Sequence, residues 1–290
     1  MATLRDIKRR IVSVKKTQQI TRAMRMVAAA KLRRAQSAIV AARPYAERMR
    51  ATLTEVARGL QEPEHPLLVA REHIRKVDFV VVTSDRGLAG AFNGNVLKLA
   101  EREIAHRVRA SGIESVSLLL AGRKAAEFFR RRRPSQIAQT WAGFGTVKFD
   151  QAVRIAEKLS ARFVSGEADE IVLVFSEFVS TLNQKPRASV LLPFRAAEEP
   201  ESGEASLPFE IEPDPKTVLG TLVPKALQVE IFRALLENQA GEHAARMAAM
   251  ESATRNTEEM IGSLTLKYNR VRQAAITREL VEIISGAEAL

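Results

Sequence analysis

Both ends of this chain read as single helices too long for any ordinary globule. Residues Thr3 to about Gly59 contain one proline, Pro44, and no glycine before Gly59. From about Pro215 to Ser285 runs a stripe of Met247, Met250, Thr254, Thr257, Ile261, Leu264, Tyr268, Val271 and Ala275. Its spacings alternate three and four without a break, which is the seam of a coiled coil. At ~1.5 Å per residue each helix runs roughly 80–105 Å, well beyond the diameter of a domain. A rod of that length serves as a shaft or spacer.

The two helices differ in detail. The first opens on Thr3 with Asp6 three residues later, a capping-box arrangement. Its apolar stripe is Leu4, Ile7, Ile11 and Val14, and the next heptad positions, Gln18 and Thr21, are polar. The helix then turns small and soft through Ala23, Met24, Met26, Val27 and Ala28 to Ala30. Small residues admit a close neighbour and methionines adapt to it. A stripe that weakens mid-helix suggests a thin pair enclosed by another protein. Arg43-Pro44-Tyr45 marks a kink. The second helix starts at Asp214-Pro215, an N-cap followed by proline at the first helical position. Pro224 bends it near its start, and Gly241 and Gly262 each weaken it by about 1 kcal/mol relative to alanine.

Between the helices the pattern changes. Glu62-Pro63-Glu64-His65-Pro66 reads as a linker. Apolar, β-branched runs at Val77–Thr83, Val116–Ala121, Ile137–Trp141, Glu170–Phe175 and Arg187–Pro193 alternate with helical stretches at Val96–Val108, Lys124–Arg132 and Phe149–Val164. Strands alternating with helices of ten to fifteen residues imply a mostly parallel sheet, here over about 75–195. Residues 196–214 are acidic and interrupted by Pro and Gly, an exposed loop or foot.

Charge separates the function classes. The chain carries a net +11, and residues 1–60 hold 15 Lys/Arg against three Asp/Glu. Residues 198–214 hold seven carboxylates and no Lys or Arg. A basic rod needs an acidic partner: nucleic acid, anionic lipid or an acidic protein surface. Aromatics are only 5% of the chain, too few for a base-stacking platform, so a nucleic-acid-binding coiled coil is the weaker alternative. With no cysteine, disulfides, thiolate metal sites and cysteine nucleophiles are excluded. No apolar run approaches the ~18 residues of a membrane helix, so no direct membrane insertion is expected. The N-terminus lacks a secretory apolar core, and its stripe belongs to the long helix rather than to a transit peptide.

Chemistry-bearing motifs are scarce. Ser84 to Asn95 follows a strand, as a dinucleotide loop would, but its glycines fall at 87, 90 and 94, the wrong spacing. No phosphate-loop Gly-Lys-Ser/Thr occurs. The segment reads as a tight strand-to-helix turn capped by Asn93 or Asn95. His65, His73, His106 and His243 have no ligand spacing. The run Arg130 to Arg133 suits a helix C-terminus. Neither catalytic residues nor a cofactor or metal site is expected.

Several segments together resemble the gamma subunit of F-type ATP synthase, along the full length. They are Ile11 to Lys31 (IVSVKKTQQITRAMRMVAAAK), Arg43-Pro44-Tyr45, Ser84-Asp85-Arg86-Gly87-Leu88, Glu212-Pro213-Asp214-Pro215, and above all Tyr268 to Gly286 (YNRVRQAAITRELVEIISG). The resemblance implies an α/β fold class with a long antiparallel two-helix coiled coil of the terminal helices, 1–60 and 215–286. A central Rossmann-like, mostly parallel α/β foot spans 75–195, and an acidic loop spans 196–214. It implies a non-catalytic rotor shaft, one copy per complex, between the membrane c-ring and a ring of alpha and beta subunits, beside the epsilon subunit. Its place would be the cytoplasmic face of the bacterial inner membrane. By the same resemblance Arg272 and Gln273 form a polar catch against beta, Thr277 and Glu279 serve coupling, and Arg246 faces an acidic lever of beta with Met24 packed nearby. Phe209, Glu210 and Glu212 match the foot on the c-ring and epsilon side, where this chain is poorer in aromatics than the family pattern.

Overall fold

The computed structural model describes residues 3–58, 65–109, 112–194 and 214–288. Along the chain come α1 (Leu4–Arg58), β1 (Lys76–Val82), α2 (Phe92–Arg109), β2 (Ser115–Ala121), α3 (Arg123–Arg132), a short 3₁₀ turn (Pro134–Gln136), β3 (Ile137–Trp141), α4 (Phe149–Val164), β4 (Glu170–Phe178), β5 (Gln184–Leu192) and α5 (Pro215–Glu288). Two compact units result: residues 1–29 with 246–290, and residues 30–245. The larger unit takes in the inner parts of both long helices together with residues 75–195, and those parts supply some of its core.

In the larger unit the strands order as β3-β2-β1-β4-β5. The first three neighbour pairs are parallel, and β5 returns antiparallel to β4. Alternate residues of the central strands face opposite layers, as the period of two requires. Val77, Phe79 and Val81 join Leu118, Leu120 and Val174 beneath α2 and α3. Val80 and Val82 join Leu119, Leu173 and Phe175 on the other face, under α4, Leu53 and Val56 of α1, and Leu219 to Leu235 of α5. Burial on both faces explains why these strands read as continuous apolar runs. The chain winds outward through α2 and α3, then crosses back from β3 to β4 by α4. Right-handed crossovers put helices of opposite winding direction on opposite faces.

Among the described residues of this unit the most deeply buried charged side chain is Asp78, ahead of Glu170 and Glu237. Asp78 of β1 is 1% exposed, and Arg162 of α4 grips it from two nitrogens, Nε to Oδ2 at 2.6 Å and Nη2 to Oδ1 at 3.1 Å. Burial pushes the Asp78 carboxyl up while Arg162 pulls it down. The Arg162 guanidinium is also paired to Glu167 at 2.6 Å.

Both long helices begin as their sequences predict. Thr3 N–H donates to Asp6 Oδ2 (3.1 Å) and Asp6 N–H to Thr3 Oγ1 (3.3 Å), a reciprocal capping box. Thr217 N–H donates to Asp214 Oδ1 at 2.9 Å. Both carboxyls are held below the usual range, Asp6 chiefly by the Thr3 hydroxyl and Asp214 by the Thr217 amide. α1 runs through Pro44 and α5 through Pro224 without a break. Gly241 is a packing requirement rather than a weakness: a Cβ there would lie 2.8 Å from the Phe92 ring.

Candidate interaction surface of the coiled coil

In the smaller unit α1 and α5 are antiparallel. Thr21 Oγ1 meets Thr254 Oγ1 at 2.8 Å, and Arg25 pairs with Glu251, so one number rises as the other falls. All nine residues of the α5 stripe, Met247 to Ala275, are at least half-buried, while residues such as Ser252, Arg255, Asn256 and Met260 are exposed. The α1 seam does not fade. Leu4, Ile7, Ile11, Val14, Gln18, Thr21, Arg25 and Ala28 are each buried or half-buried, at alternating steps of three and four. Carrying the Thr21–Thr254 register along the pair sets Val14 level with Ile261, Ile11 with Leu264, Ile7 with Tyr268 and Leu4 with Val271. Beyond Arg272, α5 passes the start of α1.

Outside the seam the α1 surface is basic. Lys8, Arg9, Arg10, Lys15, Lys16 and Arg22 are all exposed, and Asp6 at the cap is the single carboxylate of this stretch. On α5, Arg272, Gln273, Thr277 and Glu279 are exposed. At 100° per residue Arg272 and Glu279 share one face, with Gln273 and Thr277 on the adjoining one. Apolar side chains accompany them: Ile276 is 49% exposed, Leu280 54% and Ile283 68%. Met24 and Arg246 are half-buried. The register sets Met24 level with Glu251, about one and a half turns from Arg246 along the helix. Phe209, Glu210 and Glu212 lie outside the described residues.

The turn after β1 is filled by its own side chains. Ser84 N–H donates to Asn93 Oδ1 at 3.0 Å. Asn93 thus ties the turn to α2 instead of capping it, because α2 already starts at Phe92. Asp85 accepts from Arg123 N–H and Phe144 N–H, both at 2.9 Å, and Thr83 Oγ1 accepts from Ala125 N–H at 2.9 Å. These donors at the start of α3 are the ones a phosphate would need. Gly122, at φ +108°, packs so tightly that a Cβ would fall 2.2 Å from the Thr83 carbonyl oxygen. Arg43 and Tyr45 border a cavity of about 600 Å³ with Phe149, Phe178 and Phe232. In the Arg130–Arg133 run, Arg132 stacks 3.9 Å from the Phe128 ring centre, and Arg133 pairs with Glu101 at 3.6 Å.

The residue-by-residue reading of the sequence missed the cross-helix pairs Thr21–Thr254 and Arg25–Glu251. A signal existed: aligned antiparallel, the two stripes turn polar at the same heptads. It also missed Asp85 as the anchor of two loops, for which the sequence offers no periodic cue.

Comparison with known proteins bears on this arrangement as a whole. A family profile described as ATP synthase matches residues 3–290. The chain is 48% identical to the ATP synthase gamma chain of Anaeromyxobacter sp. (strain Fw109-5), covering all of both chains. It is 46% identical to that of Chlorobaculum tepidum, over 100% of this chain and 99% of the other. Its fold is similar to a chain in the cryo-EM structure of Euglena gracilis mitochondrial ATP synthase, OSCP/F1/c-ring in rotational state 3. There the TM-score is 0.64 at 19% identity, over 99% of this chain and 94% of that one. A chain of the Tetrahymena thermophila mitochondrial central stalk and c-ring gives 0.61 at 23% identity, over 81% and 99%. The chain belongs to the ATP synthase gamma chain family.

Proposed function

We infer that this chain is the central rotor shaft of an F-type ATP synthase, carrying c-ring rotation to the alpha–beta ring, where beta makes or hydrolyses ATP. The observation that carries the reading is the antiparallel coil with its basic α1 surface and its polar and apolar α5 tip. It supplies a long, asymmetric contact surface and no reacting group. A shaft drives a partner through different conformations only if its contact energy with the partner changes as it turns. One basic helix face and one tip of mixed polarity provide that angular difference.

The partners proposed are the alpha and beta subunits around the coil, the epsilon subunit and the membrane c-ring, with one copy of this chain per complex. Met24, Arg246, Arg272, Gln273, Thr277 and Glu279 are assigned to the alpha–beta ring. Phe209, Glu210 and Glu212 are assigned to the c-ring and epsilon side of the foot. The helices 1–60 and 215–286 act as shaft, 75–195 as foot and 196–214 as its acidic loop. The place proposed is the cytoplasmic face of the bacterial inner membrane, held there through the c-ring. Among the described residues no helix is long and apolar enough to cross a membrane.

Reconstitution with a cognate alpha–beta ring tests this reading. A bead attached to the foot should rotate during ATP hydrolysis, and the chain should raise the ring's ATPase rate. A ring that binds the chain with neither effect refutes the shaft assignment.

A further inference from the structure

The coil contains a block in which both seams turn polar together. The Thr21–Thr254 register sets Gln18 level with Thr257, and Arg25 level with the turn that carries Glu251. All six side chains are buried or half-buried. The two threonine hydroxyls hold one proton each, and their distances admit a consistent chain. The two hydroxyl oxygens lie 2.8 Å apart, with the Gln18 carbonyl 3.0 Å from Thr21 Oγ1 and the Met250 carbonyl 2.7 Å from Thr254 Oγ1, so whichever hydroxyl donates across the pair, the other donates to a carbonyl of its own helix. Arg25 hydrogen-bonds Glu251, whose carboxyl is held below its usual range first by that bond. Arg255 stands 3.7 Å from the same carboxylate.

We propose that these three matched polar layers are a shear key that fixes the axial alignment of α1 against α5. Apolar layers do not fix it closely, because dispersion and burial are non-directional, and a side chain sliding along a seam exchanges one neighbour for the next. A hydrogen bond is steep by comparison. At 2.8 Å, the Thr21–Thr254 bond reaches the 3.5 Å limit after an axial slide of about 2 Å. Bending a two-helix coil in the plane of its two axes requires such a slide, so these layers resist it where neighbouring layers yield. Polar seam residues are known to select register at some loss of stability. Here the selection acts on small displacements within one chain. The inference concerns the coil alone and stands whether or not the shaft reading does.

The full chain has no cysteine, so Arg22→Cys and Lys267→Cys place one spin label on each helix at exposed positions about 21 Å apart along the coil, where an axial slide changes their separation by most of its length. The distance distribution between them is measured in the parent and in two variants. One carries Thr21→Val with Thr254→Val, which keeps shape and removes the hydroxyls. The other adds Arg25→Leu with Glu251→Leu. The expected result is a distribution broadened by about 2 Å or more, the slide that the lost bond no longer limits, with helix content unchanged. An unchanged width in both variants overturns the proposal. So does loss of the coil in the threonine variant, because the layers would then be holding the helices together and not aligning them.

Discussion

Gly241 and Gly262 lie in the same helix, and propensity alone treats them alike: alanine at either should stabilise by about 1 kcal/mol. The structure separates them. A Cβ on Gly262 meets nothing within 4 Å, whereas one on Gly241 meets Phe92 Cε2 at 2.8 Å and Gln184 Cγ at 3.4 Å. Carbon atoms prefer about 3.5–4.0 Å, so the Phe92 ring must retreat by roughly 0.7–1.2 Å. That ring is 5% exposed and has little room to retreat. Overpacking of this kind costs about 1–3 kcal/mol. Set against the propensity gain of about 1 kcal/mol, Gly241→Ala should lose about 1 kcal/mol net. Gly262→Ala should gain about 1 kcal/mol. Urea unfolding followed by Trp141, the sole tryptophan, reports on the unit that contains Gly241. Far-ultraviolet ellipticity reports on Gly262. Pairing Gly241→Ala with Phe92→Leu should recover most of the loss. If Gly241→Ala alone raises the urea midpoint at constant slope, the close-approach argument is wrong.

Asp78→Ala should cost about 3 kcal/mol by the Trp141 readout, because it leaves Arg162 buried with Glu167 as its remaining carboxylate, while Asp78→Leu with Arg162→Leu should cost less than the single change. Glu251 is held below its usual 4.5, so its contribution to the coil is complete above that pH and lost as the pH falls through the lower folded value. Glu251→Gln should therefore remove part of the acid-induced fall in ellipticity, and an identical acid limb in the variant would contradict the Arg25 pairing. Arg272→Ala with Gln273→Ala should lower coupled ATP synthesis in the assembled complex while leaving the Trp141 unfolding midpoint within about 0.5 kcal/mol of the parent. Normal synthesis in that variant would remove the catch assignment.

The coil was legible where apolar spacing marked it and illegible where the seam was polar. Met247 to Ala275 could be read directly, because burial follows the alternation of three and four. On α1 the same alternation continues through Gln18, Thr21 and Arg25, but hydropathy hides it, and only the facing helix shows that Thr21 and Arg25 have partners. β1 and β2 were found to within one residue at each end, since burial on both faces makes them apolar throughout. β4 and β5 run three residues further than their apolar runs, as a hairpin extension in which Ser176, Glu177 and Phe178 pair with Pro186, Lys185 and Gln184. Backbone pairing sets that length, and composition does not record it. Pro186 is tolerated because β5 is an edge strand. Pro44 reads as a kink from its missing N–H, yet its side chain lies on an exposed face and α1 continues past it. Of the proposed contact residues, Arg272, Gln273, Thr277 and Glu279 are exposed, and because the partners proposed for them belong to other chains, neither periodicity nor pairing within this chain marks them.

The start of α1 at Leu4, level with Val271, is also a step in mechanical stiffness. Two equal rods lying side by side and free to slide resist bending about twice as well as one. The same rods locked against sliding resist it about tenfold in the plane of their axes, for helices packed at the usual 8–10 Å separation. Beyond Arg272 the described residues form a single rod. A sideways load on this unit therefore deflects the last turns of α5 first, and the bend concentrates just past the end of the pair, close to Arg272 and Gln273.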